Sequence, residues 1–322
     1  MKAAMVFLAS AALVYASPLA RAADYPSKPI TLMIGFAPGG PSDVMARILT
    51  KKMEEILKQP MVIENRAGAG GSIAGAAVAR AAPDGYTVLL ATGSLLAINV
   101  SLYKNVGYDP EKDFEPIGLI GTQTNVLYLN PSVPATSLAE LIAYAKANPG
   151  KLSFGSGGNG TPAHLAGELL KLEAKIDITH VPFRGTGPAL QAVIGGHVPM
   201  AFNPPSPLLP HIQSGTIRAL AITTLKRTAV LPEVPTIAES GFPGFEATTW
   251  HALVAPAGTP KDVIATLHLA TAATVNDPPV HKALTDLGID VVGGTPEELR
   301  AYVKSEIPKW AEVVRGSGAK VD

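Results

Sequence analysis

The chain has 322 residues, 26 basic and 26 acidic side chains, and no cysteine. This length exceeds a usual domain of about 100–200 residues and predicts two lobes. The balanced charge leaves no basic surplus for nucleic acid, and no disulfide can form.

The first 22 residues have the pattern of an export signal. Lys2 begins it, an apolar run covers residues 3–16, and Ala20-Arg21-Ala22 fits a small-x-small cleavage site. The run is shorter than the roughly 18 apolar residues of a membrane anchor. We therefore expect cleavage near Ala22 and a mature protein in the periplasm. Without a cysteine to carry a lipid, that protein should be free of the membrane.

The mature chain opens with strands, glycine-rich turns and helices in alternation. Predicted elements lie, in order, at 30–34 (strand), 42–56 (helix), 61–64 (strand), 72–81 (helix) and 86–91 (strand). Ser42 or Asp43 can cap the first helix. Strand, glycine loop and helix repeated in this way predict βαβ units around a parallel sheet.

The same alternation restarts in the middle of the chain. Strands are predicted at 126–129, 152–154, 178–181, 198–202 and 219–223, and helices at 137–147, 163–172 and 189–194. Ser137 and Glu140 form a capping box at the start of the first of these helices. A second sheet is therefore expected.

After Trp250 the sequence returns to the first pattern. A strand is predicted at 252–255, followed by helices at 261–275, 281–287 and 296–314. The return predicts a discontinuous first lobe of residues 23–123 plus 251–322, and a second lobe of residues 124–250. The fold class is α/β, and Trp250 would lie at the hinge, as a packing residue or facing the cleft.

Three helices follow glycine-rich loops, at residues 35–41, 155–162 and 185–188. The first turn of a helix leaves amide N–H groups unpaired, and glycine lets an anion approach them. Loops at the carboxyl ends of strands are where α/β sheets bind ligands. Candidate ligand-binding residues in or near such loops are Phe36, Ala37, Pro38, Gly39, Gly40, Ser94, Ser156, Gly157, Gly158, Thr161 and Thr186.

Two charged or titratable residues beside these loops have alternative roles. Arg184 precedes a glycine-rich helix start and could clamp a carboxylate, or it could be a solvated loop charge. His164 lies one turn into its helix and could cap and pack or contact the ligand.

Enzyme and cofactor patterns are weak. The segment 155–160 fits G-x-G-x-x-G, with Asp177 at the distance of a ribose contact, but the preceding strand is short. A tight turn and an anion site are the alternatives. G-x-S-x-G and H-E-x-x-H are absent from the sequence. We expect no metal, no cofactor and no catalysis, although a pair of catalytic carboxylates has no sequence signature.

Longer motifs resemble one known family. They are GFAPGG (35–40), VIENRAGAGG (62–71), APDGYT (82–87), YDPEKDF (108–114), ANPGKL (147–152), HVPFRG (180–185), LPEVPT (231–236), APAGTP (255–260) and GGTPEE (293–298). With these motifs the chain resembles the Bug-type receptors, the substrate-binding proteins of tripartite tricarboxylate transporters. The likeness runs in order along the whole mature chain.

The resemblance implies a type II periplasmic-binding-protein fold, with two α/β lobes joined by two crossing strands. It implies that a small carboxylate is held in the cleft by backbone donors and ordered waters of loops 36–41 and 156–164. The expected protein is a monomer that delivers its solute to membrane transporter subunits; a sensor kinase is the alternative partner. The family commonly has Asp where this chain has Asn203, which disfavours amino-acid ligands unless Asn203 only shapes the following loop.

Overall fold

The computed structural model describes residues 25–318, so the predicted export signal lies outside the described residues. The strands are β1 (Ile30–Ile34), β2 (Met61–Asn65), β3 (Thr87–Thr92), β4 (Phe114–Gln123), β5 (Val126–Leu129), β6 (Leu152–Ser156), β7 (Ile178–Pro182), β8 (Met200–Asn203), β9 (Arg218–Ile222), β10 (Thr249–Pro256) and β11 (Ile289–Gly294). The α-helices are α1 (Pro41–Leu57), α2 (Ser72–Ala79), α3 (Asn99–Leu102), α4 (Leu138–Ala147), α5 (Pro162–Ala174), α6 (Thr186–Ile194), α7 (Leu209–Gln213), α8 (Lys261–Asn276), α9 (Pro278–Asp286) and α10 (Pro296–Ser317). A 3₁₀ turn at Ala69–Gly71 precedes α2, and a π-helical turn at Ser94–Ile98 precedes α3.

The strands form two sheets, which agrees with the predicted α/β class. The first has the order β11-β4-β10-β3-β1-β2 and the second the order β7-β6-β8-β5-β9. Both are mixed, so the prediction of parallel sheets is wrong in part. β1, β2 and β3 are parallel, as are β6, β7 and β8, whereas β10 runs antiparallel to β3 and β4. The chain leaves the first sheet along β4 and returns along β10, so these strands must run in opposite directions.

Helices cover both faces of each sheet, which explains the continuous apolar runs of the central strands. Five of the six residues of β3 are buried, and seven of the eight residues of β10. One hydrophobic cluster lies between the first sheet and α1, α8 and α9, and another lies against α6 and α7. The third is shared by both halves, because α10 packs against β4 of the first sheet and against α5 beside the second.

Two strands of the first sheet, β4 and β11, were not predicted. Pro116, Gly118 and Gly121 interrupt β4, and such residues usually argue against a strand. Here they allow close approach: a Cβ on Gly121 would lie 2.6 Å from the carbonyl oxygen of Asp290 in β11. Register shifts between β4 and its neighbours accommodate the irregularity.

The first helix begins differently from the prediction. α1 starts at Pro41 and its N-cap is Gly40, which provides no side-chain hydrogen bond. Neither Ser42 nor Asp43 is the cap, because Pro41 already fits the first helical position, where a missing N–H is harmless.

The two segments that connect the sheets are hydrogen-bonded to each other. Asn125, between β4 and β5, donates its amide N–H to Thr223 Oγ1 (2.9 Å), and the N–H of Thr223 donates to the Asn125 carbonyl (3.0 Å). These bonds hold the outgoing and returning chain side by side at the junction of the two halves.

Trp250 is fully buried at this junction. Its indole N–H donates to Glu306 Oε2 (3.2 Å) in α10, which also accepts from the indole of Trp310 (2.7 Å). Lys309 completes the cluster at 2.8 Å from Glu306 Oε1. The ring therefore packs and does not line the cleft. Among the described residues, no helix has the length and apolarity needed to cross a membrane.

Candidate ligand-binding cleft

A cleft of about 730 Å³ lies between the two sheets. The loops after β1 and β3 form one wall, and the loops after β6 and β7 form the other. Its floor consists of residues on or next to the connecting segments, including Gln123, Asn125, Thr249 and His251. The loops follow the carboxyl ends of parallel strands, the edge at which α/β sheets place ligands.

Most of the predicted ligand-binding residues are brought together here. Those that line the cleft are Phe36, Ala37, Pro38, Gly39, Gly40, Ser94, Gly157, Thr161, Arg184 and Thr186. The other four, Ser156, Gly158, His164 and Asn203, lie behind its wall, where they hold the loops in place.

The loop after β1 is fixed by a carboxylate. Asp43 accepts from the amide N–H of Gly39 (3.0 Å), from Arg47 Nε (2.9 Å) and from Asn65 Nδ2 (3.1 Å). The hydrogen bond from Arg47, then those from Gly39 and Asn65, lower the pKa of Asp43 to about 2. This carboxylate is fully engaged behind the loop. Because the N–H of Gly39 already donates to Asp43, it is not free for a ligand.

The loop after β6 rests on two stacked histidines. The rings of His164 and His180 lie 3.8 Å apart between centroids. His164 Nδ1 accepts from the N–H of Gly160 (3.1 Å), and His180 Nε2 lies 2.7 Å from Ser156 Oγ. Burial lowers the pKa of His164 to about 4 and that of His180 to about 3, so both rings are neutral at pH 7. Of the two roles considered for His164, capping and packing is the one the geometry supports.

Asn203 supports the loop after β7. It is fully buried, and its Nδ2 donates to the hydroxyl of Tyr128 (2.9 Å) and to the carbonyl of Thr186 (3.1 Å), the first residue of α6. A carboxylate at this position could not donate either bond. Asn203 therefore positions the start of α6 from behind.

Three of the four wall loops, those after β1, β6 and β7, leave a backbone donor unused. Within residues 25–318, the amide N–H groups of Ala37, Gly157 and Thr186 donate no hydrogen bond. α1 and α6 also lack a side-chain cap at their N-termini. Unpaired amides and uncapped helix starts give this region a positive potential.

Among residues 25–318, the cleft lining contains one charged side chain, Arg184, and it is positive. Arg184 is exposed on the wall, and within the described residues it has no ion pair. No Asp or Glu belongs to the lining among residues 25–318. His251 is neutral at pH 7, because burial lowers its pKa to about 4. The cleft is therefore suited to an anion held mainly by backbone N–H groups.

The floor residues lie at the predicted lobe boundaries, but the sequence did not identify them as cleft residues. Asn125 and His251 are almost completely buried, and they lie in segments whose sequence shows neither glycine enrichment nor a motif. Their position follows from the meeting of β4 and β10, and β4 was not predicted. No local signal identifies them.

The dinucleotide alternative is not supported. Asp177 directly precedes β7, whereas the glycine-rich loop follows the last residue of β6. These strands are parallel, so Asp177 lies about 16 Å from the loop, at the opposite edge of the sheet. Among the described residues, no cluster of three or more His, Asp or Glu side chains could hold a metal ion.

Comparison with known proteins gives extensive matches. The profile described as tripartite tricarboxylate transporter family receptor matches residues 45–318. Protein BugT of Bordetella pertussis is 40% identical over 317 residues, covering 98% of this chain and 96% of BugT. The structure of periplasmic binding protein BugD is similar with 38% identity and a TM-score of 0.77, covering 92% of this chain and 99% of BugD. R. palustris Rpa4515, solved with adipate, has 36% identity and a TM-score of 0.80, covering 92% of this chain and 99% of its own.

Proposed function

Since the chain belongs to the tripartite tricarboxylate transporter receptor family, we propose that it captures a small carboxylate-bearing solute in the periplasm and delivers it to a transporter of that type. The solute is an aliphatic or aromatic acid, bound without chemical turnover. The lobes are residues 23–123 plus 251–322 and residues 124–250.

The observation that carries the proposal is the set of unused backbone donors on both walls. A carboxylate that accepts from Ala37 on one side and from Gly157 and Thr186 on the other would join the two halves. Hydrogen bonds to a charged group contribute about 1.5–3 kcal/mol each, more than those to neutral groups. The relative solved with adipate supports this ligand class.

Closure of the lobes follows from the same contacts. A ligand favours the closed form only if it binds that form better than the open one. An anion that bonds to donors on both walls meets this condition, because opening would remove one set of bonds. The junction formed by Asn125 and Thr223 is the place where the backbone would rotate.

Binding is tested with the purified mature protein in a thermal-shift screen followed by calorimetry. Hexanoate, adipate and benzoate represent the acids, and hexanamide, benzamide and glucose are the uncharged controls. At least one acid should raise the melting temperature, because it binds only the folded state, while its amide should not. A shift with hexanamide or glucose and with none of the acids would contradict the proposal.

Delivery is tested in cells. A strain that lacks this gene should lose uptake of the acid identified by calorimetry and regain it with the full-length chain. Normal uptake combined with loss of a transcriptional response to the same acid would point to a sensor instead of a transporter.

A further inference from the structure

The two walls of the cleft touch each other where Leu102 meets Gly160. Leu102 ends α3 in the first half, Gly160 lies in the loop after β6 in the second, and both line the cleft. A Cβ on Gly160 would lie 2.2 Å from Leu102 Cδ2, so the leucine side chain packs directly on the glycine backbone. Gly160 has a φ of 71° and no side chain, and it therefore leaves room for this contact.

The contact between the walls is apolar. Within residues 25–318, no hydrogen bond or ion pair joins residues 99–103 to residues 157–164. The hydroxyl of Thr161 is used inside its own loop, where it donates to the Gly158 carbonyl (2.8 Å). We call the uncharged, mainly hydrocarbon lining residues at this contact the apolar patch: Leu102, Tyr103, Gly160, Pro162 and Ala163.

The apolar patch lies close to the donors of the wall loops. Gly157, whose amide N–H is unused, is separated from Gly160 by at most about 11 Å of extended chain. The loop is shorter than that, because the N–H of Thr161 donates to the Gly158 carbonyl (3.4 Å) and folds it into a turn. An acid whose carboxylate accepts from Gly157 therefore has its carbon chain or ring within reach of the patch.

The patch provides no partner for a second charge. Arg184 is the one charged side chain of the lining among the described residues, and it stands on the same loop as Thr186. The amide nitrogen of Thr186 lies 3.4 Å from a Cβ built on Gly157, so Arg184 belongs beside the backbone donors. A carboxylate or hydroxyl placed against Leu102 would lose water without gaining a hydrogen bond, which is unfavourable.

We propose that the apolar patch receives the carbon body of the bound acid and that Leu102 determines which acids are selected. The inference rests on the proposed function, since it places the body by reference to a carboxylate on the wall donors. It narrows the solute to acids with a continuous hydrocarbon chain or ring next to the carboxylate. Short acids that carry several polar groups, such as malate and citrate, are excluded.

The test is calorimetry with acids that differ in hydrocarbon content. Each buried CH₂ group strengthens binding about fourfold, so hexanoate should bind roughly tenfold more tightly than butyrate. For ring acids the matching pair is para-toluate and benzoate. Malate and citrate should bind more weakly than hexanoate. In Leu102→Ala the ratio of hexanoate to butyrate affinity should fall roughly threefold, because part of the apolar surface is removed.

A control separates selection of the acid from loss of folding stability. Leu96 is buried in the same hydrophobic cluster as Leu102 but lies outside the cleft lining. Leu96→Ala should lower the melting temperature, as Leu102→Ala does, and leave the hexanoate-to-butyrate ratio at the wild-type value. If either alanine variant fails to fold, the milder pair Leu102→Val and Leu96→Val gives the same comparison with a smaller change.

The outcomes separate this inference from the proposed function. If none of these acids binds, both fail. If acids bind but the longer chain gives no gain, or if malate or citrate binds more tightly than hexanoate, the inference is wrong and the receptor function stands. If Leu102→Ala weakens butyrate and hexanoate equally, Leu102 only holds the walls together, and its role in selecting the acid is overturned.

Discussion

Gly157 offers the sharpest test of the backbone-donor site. It lines the cleft, and its φ lies outside the left-handed region, so larger residues can adopt its backbone conformation. A Cβ at this position would lie 3.4 Å from the amide nitrogen of Thr186, at the start of α6. That distance is an ordinary van der Waals contact, so Gly157→Ala and Gly157→Val should fold.

The new side chain would nevertheless stand where a ligand oxygen must sit, because that oxygen has to approach the amide nitrogen to about 2.9 Å. Loss of one hydrogen bond to a carboxylate costs about 1.5–3 kcal/mol, which weakens binding roughly 10- to 150-fold. Folding stability should not fall, because replacing glycine at a compatible φ restricts the unfolded chain and stabilises by about 0.4–1 kcal/mol.

The assay is calorimetric titration with the best acid from the screen, together with thermal melts of the unliganded variants. Gly187→Ala is the matched control, since a Cβ there meets no atom within 4 Å and the residue is outside the cleft lining. It should bind as the wild type does. Wild-type affinity in Gly157→Val, with an intact melting temperature, would refute the backbone-donor reasoning.

Three further predictions follow from the site. Arg184→Gln should weaken acid binding about threefold at low salt, and less at high salt, because an exposed charge acts mainly by screened attraction. Asn203→Asp should lower the melting temperature by about 5 °C at pH 7, because a carboxylate cannot donate to the Thr186 carbonyl; the deficit should shrink at acid pH, where the carboxyl is protonated. His251 is neutral when folded, with its pKa lowered from 6.5 to about 4, so the unfolded chain takes up a proton first as pH falls below 6.5. Its contribution to the free energy of unfolding should drop by roughly 2 kcal/mol between pH 7 and pH 5.

Each of these has a clear contrary result. Salt-independent binding by the wild type would contradict the role of Arg184 as a steering charge, as measured by titrations at two ionic strengths. An unchanged melting temperature of Asn203→Asp would contradict the supporting role of Asn203. The control is Asn159→Asp, which adds the same charge at an exposed position on the loop after β6. Urea denaturation of His251→Phe at pH 7 and pH 5 should show a smaller decrease in the free energy of unfolding than the wild type shows. Equal decreases would mean that this imidazole does not titrate as described.

Much of the fold could be predicted because local signals agreed with the tertiary structure. The glycine-rich turns after β1 and β6 mark real loops, and the resemblance to Bug-type receptors and the two-lobed fold are confirmed. β4 was missed because its sequence contains proline and glycine, which usually argue against a strand. The glycines are needed for contacts with distant segments, and those contacts cannot be recognised in a single sequence. The mixed strand directions depend on how the chain returns, which is also a non-local property.

The same difference between local and non-local signals applies to the candidate site. Wall residues such as Ala37, Gly157 and Thr186 follow strands and precede helices, so sequence patterns locate them. Ser156 and His164 share those loops but face inward, a distinction that depends on side-chain direction within a turn. Asn125 and His251 line the cleft because they lie where two distant segments cross, and nothing in their local sequence indicates that role.

The C-terminal helix changes how movement between the halves should be pictured. α10 begins on the first sheet and ends against α5 of the second half, where Gly316 lies beside Leu172. Besides the two chain crossings, α10 is thus a third connection between the halves. A rigid helix in this position would prevent the halves from moving relative to each other. Pro308 interrupts its hydrogen-bond ladder between Glu306, which bonds to Trp250 at the junction, and Gly316, which packs against Leu172, so the helix can bend there. We therefore expect the cleft to open by a small rotation of the halves about this helix and not by a wide hinge motion.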